Sequence, residues 1–211
     1  FIGGTGSEGR GLALRFAVAG EQVLIGSREE SRAIEVAACI ADLVSGSSVS
    51  AGTNQDIARI ADILFVTVPY RAHRSVLESV RLSLEGKIVV DAVVPVSVSG
   101  GVAKMLHVVD GSAAQEAQAV LGRSSVVAAF HTVSASDLLL LDSSVDSDVI
   151  ACSDDTGAKK VVMGLVELIP RMRAVDAGPL HNSAYLEGMA ALLININRVY
   201  RRQSSIRVMG I

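Results

Sequence analysis

Three glycines near the start of the chain have the spacing of a phosphate-binding turn. They lie in Gly4-Thr5-Gly6-Ser7-Glu8-Gly9, directly after Phe1-Ile2, which we interpret as the end of a strand whose earlier residues lie outside this sequence. In a GxGxxG turn the glycines allow a tight bend, close approach of a pyrophosphate and close packing of the following helix. The free N–H groups at the start of that helix also attract phosphate. The pattern predicts a dinucleotide site; in a chain with 19 glycines, an ordinary glycine-rich turn is the alternative.

The residues after the second predicted strand indicate which dinucleotide is bound. That strand ends in Gly26-Ser27-Arg28, and Arg32 follows one turn into the next helix. Proteins that bind NAD usually place a carboxylate here for the ribose 2′-hydroxyl, whereas a hydroxyl and two guanidinium groups suit a 2′-phosphate. The alternative is that both arginines only pair with Glu29 and Glu35 on a solvated face. The residue types favour NADP over NAD.

Other reactive side chains show no pattern of a catalytic or metal site. Cys39 and Cys152 are far apart and form no CxxC, so neither a disulfide framework nor a zinc cluster is predicted. His73 and His107 have no partner at a metal-ligand spacing, and no metal site is expected. Cys39 lies among alanine and isoleucine on a helical pattern, and we interpret it as a small core residue. Asp154-Asp155 begins a predicted helix, where carboxylates cap the chain and offset the helix dipole.

Apolar, β-branched runs alternate with helical patterns along most of the chain. Residues 62–68 (DILFVTV) and 87–92 (KIVVDA) are continuous apolar runs, typical of parallel strands that helices cover on both faces. The alternation predicts an α/β fold with a doubly wound, mostly parallel sheet of the Rossmann NAD(P)-binding type. Further strands are expected at 22–27, 49–51, 126–130 and 149–152, and helices at 6–19, 29–43, 54–61, 71–84, 112–121 and 154–169.

The character of the sequence changes after Pro95. Residues 97–101 are rich in serine and glycine and are predicted to form a loop. A long, largely apolar helix is expected at 182–201. We therefore place a soft domain boundary near residue 122. It divides the chain into an NADP-binding domain, residues 1–122, and a small C-terminal α/β lobe, residues 123–211, which ends in this helix.

The composition excludes several classes of function. The 211 residues carry 22 acids and 19 bases, and a net charge of −3 argues against a basic nucleic-acid binder. With no Trp, four Phe and three Tyr, aromatic stacking platforms for single strands are not expected either. Mean hydropathy is +0.45, yet no apolar run reaches the ~18 residues that a membrane span needs. We expect a cytoplasmic protein without nucleic-acid or membrane partners.

Several stretches together resemble one family, the NADPH-dependent reductases of the deazaflavin coenzyme F420. The resemblance covers nearly the whole chain and includes motifs outside the generic dinucleotide-binding fold. It rests on GGTGSEGRGLALR (3–15), GSR (26–28), DILFVTVP (62–69), KIVVDAVVP (87–95), GSAAQ (111–115), VVAAFHTVSA (126–135), DAGPLHNSAYLE (176–187), LLININR (192–198) and IRVMGI (206–211).

The resemblance implies reversible hydride exchange between NADP(H) and F420 by a small homodimer. It places Thr5, Gly6, Ser7 and Glu8 at the pyrophosphate, and Ser27, Arg28 and Arg32 at the 2′-phosphate. It places Val68 and Val94 near the ribose and nicotinamide, and His131, Thr132, Val133 and Ala135 between nicotinamide and deazaflavin. On the same resemblance, His131 would donate a ring or backbone N–H to a deazaflavin carbonyl, and the C-terminal lobe would close the deazaflavin pocket.

Two stretches leave alternatives open. Residues 97–109 (SVSGGVAKMLHVV) lack the aromatic and proline features of the family's loop near the deazaflavin, so the same NADP domain could instead reduce a small imine or carbonyl. A non-catalytic NADPH-sensing module is the third candidate. Arginines at the end of the chain offset the dipole of the last helix, or one or two of them meet the phosphate and polyglutamate tail of F420; they are Arg198, Arg201, Arg202 and Arg207.

Overall fold

Helices and strands alternate in the structure, a computed structural model that describes residues 1–211. The helices are α1 (Ser7–Val18), α2 (Glu30–Leu43), α3 (Asn54–Ile60), α4 (Tyr70–Val80), α5 (Ala113–Leu121), α6 (Ala135–Leu138), α7 (Thr156–Glu167) and α8 (Ser183–Tyr200). The strands are β1 (Val23–Ser27), β2 (Val49–Thr53), β3 (Ile63–Val66), β4 (Ile88–Asp91), β5 (Val96–Ser99), β6 (Val102–Met105), β7 (Ser125–Ala128), β8 (Ser147–Ala151) and β9 (Met172–Asp176). None of the helices combines the length and apolar character of a membrane-spanning segment.

The central sheet is parallel throughout. β1 pairs with β2, and β4 pairs with both β3 and β7. Ile2 joins the two groups, because it bridges Gly26 on one side and Val66 on the other. The resulting order, β2-β1-Ile2-β3-β4-β7, is that of a doubly wound dinucleotide-binding sheet. The predicted α/β Rossmann class is confirmed.

Both faces of this sheet are buried. Successive strand residues point to opposite faces, so Phe65 and Val90 belong to one apolar cluster while Leu64 and Val89 belong to the other. The first cluster includes α1, α2 and α7, and the second includes α3, α4 and α5. The continuous apolar runs are therefore strands covered on both sides. Their carboxyl ends meet at one edge, which is where ligands bind in such sheets.

The C-terminal part adds a second pair of parallel strands. β8 pairs with β9, and Ala128 at the end of β7 forms an antiparallel bridge with Cys152. Asp148 of β8 accepts hydrogen bonds from Arg207 Nη1 at 3.0 Å and from the N–H of Val208 at 2.7 Å. These bonds hold the C-terminal tail beside β8. The division of the chain near residue 122 stays a prediction.

Residues 97–101 belong to a hairpin, so the loop predicted there is wrong. β5 and β6 pair in antiparallel register. Gly100 and Gly101 make the turn with φ of 56° and 76°, which glycine adopts without strain. Alternating valine and serine before two glycines is a strand-and-turn signal, which the high serine content obscured. Asn195 of α8 holds the hairpin, because its side-chain amide pairs with both the N–H and the carbonyl of Ala103, at 2.8 and 3.0 Å.

Two side-chain predictions within helices have opposite outcomes. Cys39 is exposed, so its interpretation as a core residue is wrong. The buried face of α2 is formed by Ala33, Ala37 and Ile40. Asp155, in contrast, caps α7 as predicted, since its Oδ1 accepts from the N–H groups of Gly157 and Ala158 at 2.9 and 3.0 Å.

Arg15 of α1 is a buried cation that holds the segment after β7. Its guanidinium donates to the backbone oxygens of Asp137, Leu138, Leu140 and Ser143. We expect Arg15→Met to lower the free energy of unfolding by about 3 kcal/mol, because one buried and three partly buried carbonyls lose a charged donor. Chemical denaturation measures this loss. The matched control is the exposed Arg10→Met, expected within about 0.5 kcal/mol of the unmodified chain; equal losses in both variants would contradict the role of Arg15.

Candidate functional site

The glycine turn leads directly into α1 at the carboxyl edge of the sheet. α1 begins at Ser7, and no side chain caps its first turn, so the N–H groups there are available to an anion. Gly3 has a φ of 73°, and a Cβ on it would lie 2.7 Å from Val68 Cγ1. A Cβ on Gly9 would lie 2.8 Å from Gly4 Cα. Both positions therefore require glycine, for a tight turn and for close helix packing.

A polar cleft of about 340 Å³ opens beside this turn. Of the residues predicted for the site, it brings together Thr5, Gly6, Ser27, Arg28, Arg32 and Val68. Ser27 is buried at the end of β1, and its Oγ accepts from the N–H of Glu29 at 3.2 Å. The hydroxyl is therefore held at the strand end, with the two arginines beside it.

Arg32 also makes the ion pair that the alternative interpretation expected. Its Nε lies 3.1 Å from Glu29 Oε2, with the two side chains 63% and 66% exposed. Exposed pairs of this kind contribute little free energy, because water and salt screen them. The pair therefore leaves Arg32 able to turn toward an incoming phosphate.

Arg71 and Asn54 are among the residues of this cleft that sequence reasoning missed. Arg71, in the first turn of α4, places a third guanidinium in its lining, and Asn54, directly after β2, also lines it. The Oδ1 of Asn54 is buried and has no hydrogen-bond partner. An unpaired buried acceptor is costly, so it indicates a ligand donor at this point. The signal for both residues is positional, since Asn54 directly follows β2 and Arg71 lies in the first turn of the helix that follows β3.

The other predicted residues lie outside the lining of this cleft. Ser7 and Glu8 are in the first turn of α1, Val94 follows β4, and His131 and Val133 follow β7. Ala135 begins α6 and is half-buried, and Thr132 is buried. Because β4 and β7 are neighbours in the sheet, Val94 and His131 stand at adjacent strand ends. The site residues thus follow the carboxyl edge from β2 to β7.

Two half-buried residues along this edge have buried polar atoms without partners. Both ring nitrogens of His131 and the Oε1 of Glu8 lack hydrogen bonds. Burial lowers the pKa of His131 to about 4, although the charge of Asp91 acts to raise it. The ring is therefore neutral near pH 7. Burial raises the pKa of Glu8 to about 8, which keeps most of its carboxyl protonated there. His131 therefore offers one free donor and one free acceptor.

Phe130 sets the position of His131 through an unusual backbone conformation. Its φ is 71°, the left-handed region that bulky residues avoid. The ring is held in the core, with its centroid 5.7 Å from that of Phe65 and 6.3 Å from that of Phe16. Aromatic packing at this depth stabilises the strained turn. The chain consequently bends at the end of β7 and directs residues 131–135 along the carboxyl edge.

A buried charged cluster behind this edge was also missed from the sequence. His73 of α4 has no exposed surface; its Nε2 lies 2.6 Å from Asp91 Oδ2 and its Nδ1 lies 3.1 Å from Glu116 Oε1. Burial alone would lower the pKa of His73, but the charge and hydrogen bond of Asp91, with those of Glu116, outweigh it and raise that pKa to about 9. Nearby, Glu187 accepts from the N–H groups at the start of α5, and burial raises its pKa to about 8.

The C-terminal arginines divide into engaged and exposed residues. Arg207 pairs with Asp146 and Asp148 and is committed to holding the tail. Arg201 ends α8 in the left-handed conformation, and Arg202 is exposed beside it. Contact between these two residues and the tail of F420 stays a prediction.

A second cavity, of about 330 Å³, lies at the other end of the sheet. It is lined mainly by apolar residues such as Phe16, Phe65 and Leu165, beside the amino-terminal ends of β1 and β3. Ligands of doubly wound sheets bind at the carboxyl ends of the strands. We therefore assign no substrate to this cavity.

Comparison with known proteins gives a family profile that matches part of the chain and relatives that match nearly all of it. A family profile described as NADP oxidoreductase, coenzyme F420-dependent, matches residues 1–95. A protein of Methanothermobacter thermautotrophicus named F420-dependent NADP reductase is 40% identical over 98% of this chain and 92% of its own length. A protein of the same name from Methanocaldococcus jannaschii is 36% identical over 97% of this chain and 94% of its own.

Solved structures share the fold. A crystal structure from Arthrobacter sp. FB24, described provisionally as an F420-dependent NADP-reductase, superposes with a TM-score of 0.82 at 21% identity, covering 98% of this chain and 97% of that one. A Streptomyces aurantiacus imine reductase superposes with a TM-score of 0.57 at 19% identity, covering 95% of this chain but 60% of its own. At such identities these likenesses show the fold alone.

Proposed function

The chain belongs to the family of F420-dependent NADP reductases, and from this premise we propose that it transfers a hydride reversibly between NADP(H) and coenzyme F420. It is an oxidoreductase with these two small molecules as substrates. The observation that carries the function is the match to three curated reductases over nearly the whole of both chains. The imine-reducing and sensing alternatives have no comparable support.

The cleft beside the glycine turn supports NADP as the nucleotide. Its three guanidinium groups, Arg28, Arg32 and Arg71, suit the 2′-phosphate, and no carboxylate stands at the position of Ser27 to repel it. Thr5, Gly6, Ser7 and Glu8 bind the pyrophosphate, mainly through the backbone at the start of α1. The unpaired Oδ1 of Asn54 is an acceptor for a hydroxyl of the adenosine ribose.

The residues at the ends of β3, β4 and β7 hold the two reacting rings. The nicotinamide and the deazaflavin carry the hydride chemistry themselves. The chain contributes position: Val68 and Val94 contact the nicotinamide ribose and ring, and Val133 and Ala135 form an apolar surface beside the deazaflavin. His131, neutral and unpaired, donates a hydrogen bond to a deazaflavin carbonyl. Close approach and exclusion of water are the main sources of rate.

We also infer a homodimer that buries the exposed apolar surface of α8. Leu192, Val199 and Tyr200 are 57%, 71% and 72% exposed on this helix. Apolar side chains grouped on one element are typical of a subunit contact. The cytoplasmic location stays a prediction, as does the role of the lobe after residue 122 in closing the deazaflavin pocket.

Arg71 gives a specific prediction for nucleotide binding. We expect Arg71→Gln to raise KM for NADPH about tenfold and to leave KM for NADH unchanged, because a charged hydrogen bond to phosphate contributes about 1.5 kcal/mol or more. Steady-state kinetics with both nucleotides measure this. Arg81→Gln, just beyond the end of α4, is the matched control and keeps both constants. Equal increases for NADPH and NADH would place Arg71 away from the 2′-phosphate.

The proposed reaction is tested by mixing purified protein with oxidised F420 and NADPH. Loss of the deazaflavin absorbance follows the reaction, and NADH is assayed in parallel. We expect rapid turnover with NADPH and little with NADH. Tight binding of NADPH without reduction of F420 would contradict the proposed reaction while leaving the nucleotide site intact.

A further inference from the structure

A fully buried histidine lies behind the predicted nicotinamide end of the site. His73 stands between two carboxylates, with Asp91 at 2.6 Å and Glu116 at 3.1 Å, and neither His73 nor Asp91 has exposed side-chain surface. Buried carboxylates of this kind require a cation or several donors, since an unpaired buried charge is very costly. Protonated His73 supplies a donor to each of them. The geometry is therefore that of an imidazolium shared by α4, β4 and α5.

Asp91 connects this cation to the backbone that forms the site. Its second oxygen, Oδ1, accepts from the N–H of Val93 at 3.0 Å. Val93 directly precedes Val94 and Pro95, the segment expected to contact the nicotinamide ribose. The orientation of the carboxylate thus fixes the bend of the chain after β4. Because β4 and β7 are neighbours, the charge of Asp91 also reaches the unpaired ring of His131.

We propose that His73 is a positioning residue for hydride transfer, a buried cation that holds Asp91 against the 92–95 segment and offsets the charge that Asp91 presents toward His131. The inference rests on the proposed function, because it concerns the residues that hold the two rings. His73 itself contacts neither ring and acts through Asp91. Its importance is electrostatic: with His73 uncharged, Asp91 would be an uncompensated carboxylate beside a neutral histidine.

The other titratable and charged groups around His73 come from every element packed on it. They are Tyr70 and Arg74 of α4, Asp110 before α5, Glu116 of α5, Glu187 of α8 and Asp91 of β4. Arg74 pairs with Asp110 and Glu116 at 3.2 and 3.4 Å. The negative charge of Glu116 is therefore compensated by Arg74 as well as by His73. Asp91 has no second cation, and its compensation comes from His73 alone. Removal of His73 therefore leaves Asp91 without a paired cation.

Nitrogen-15 spectra of the imidazole rings test this arrangement without any turnover. The chain has four histidines, and single His→Gln variants assign them. In the unmodified chain we expect His73 to stay protonated and His131 to stay neutral between about pH 5 and pH 7. In His73→Gln, we expect the pKa of His131 to rise into that range. In His73→Gln/Asp91→Asn, which also removes the carboxylate, His131 should again show no titration. Titration of His131 that is identical in all three proteins would overturn the proposal.

The same variants have a kinetic signature that a purely structural role would not produce. Between about pH 5 and pH 7 the kcat/KM of His73→Gln should change with pH as His131 gains a proton, whereas that of the unmodified chain should not. The double variant should lose that dependence and recover most of the rate. Exposed His181→Gln is the control and should match the unmodified chain. A loss that is independent of pH and not recovered by Asp91→Asn would overturn the proposal.

The proposal also predicts how His73 affects stability, so it can be tested even if a variant is unstable. The pKa of His73 is higher in the folded chain, about 9, than its ordinary value of 6.5. Its contribution to stability is therefore complete below about pH 6.5 and is lost as the pH rises through about 9. If His73→Gln fails to fold, folding of the double variant supports the proposal, and failure of both overturns it. Absence of turnover in the unmodified chain, with the expected histidine spectra, would instead contradict the proposed function alone.

Discussion

Replacement of Ser27 by aspartate is expected to lower kcat/KM for NADPH by about a hundredfold and to raise it for NADH. The carboxylate would repel the 2′-phosphate and would accept hydrogen bonds from the 2′-hydroxyl of NAD(H), and the combined loss is about 3 kcal/mol. The local fold should survive, because the aspartate can accept from the N–H of Glu29 as the Ser27 hydroxyl does. Steady-state kinetics with both nucleotides measure the change.

Ser27→Ala is the control that separates repulsion from loss of the hydroxyl. It removes one hydrogen bond, and we expect kcat/KM for NADPH to fall by about tenfold or less, with no gain for NADH. If Ser27→Asp kept the preference for NADPH, the 2′-phosphate would not lie between this residue and the arginines.

The largest expected change in stability comes from Phe130→Ala. The ring is 1% exposed, and truncation of a buried phenylalanine costs about 3–5 kcal/mol in unfolding free energy. For a chain of this size the loss lowers Tm by roughly 10 °C. We also expect kcat to fall in the remaining folded protein, because the bend that positions His131 loses its packing against Phe16 and Phe65.

Phe130→Gly tests the contribution of the backbone conformation. It leaves a cavity slightly larger than that of Phe130→Ala, but glycine adopts a φ of 71° without steric cost. We expect the glycine variant to unfold at the same temperature as the alanine variant or higher. A Tm for Phe130→Ala close to that of the unmodified chain would show that the aromatic cluster does not support the site.

The sequence allowed most of the sheet to be predicted, because its strands carry strong local signals. The runs at 62–68 and 87–92 contain β3 and β4, and the alternation of helix and strand gives the parallel order. The four-residue α6 and the hairpin of β5 and β6 were missed. α6 is held by Arg15 from more than 120 residues away, and the hairpin is held by Asn195. No local periodicity reports such contacts.

The residues of the site likewise fall into those that the sequence indicates and those that only the structure reveals. The glycine turn and the Ser27-Arg28 pair follow a fixed spacing after their strands, so residue types alone indicated the nucleotide. His73 pairs with Asp91 and Glu116 across 18 and 43 residues, and this separation has no characteristic pattern. Arg71 could not be predicted either, because an arginine in the first turn of a helix is common and indicates no particular function. Its role becomes visible only in the structure, where it lines the same cleft as Arg28 and Arg32.

Direct transfer of the hydride is the central claim, and isotopic labelling tests it most closely. NADPH carrying deuterium at one of the two C4 positions is mixed with the protein and oxidised F420, and the reduced product is examined by mass spectrometry. We expect full transfer of deuterium from one labelled position and none from the other, because rings held in a fixed orientation expose a single face. In heavy water with unlabelled NADPH, we expect no carbon-bound deuterium in the product. Hydrogen incorporated from solvent, or equal transfer from both positions, would contradict the account.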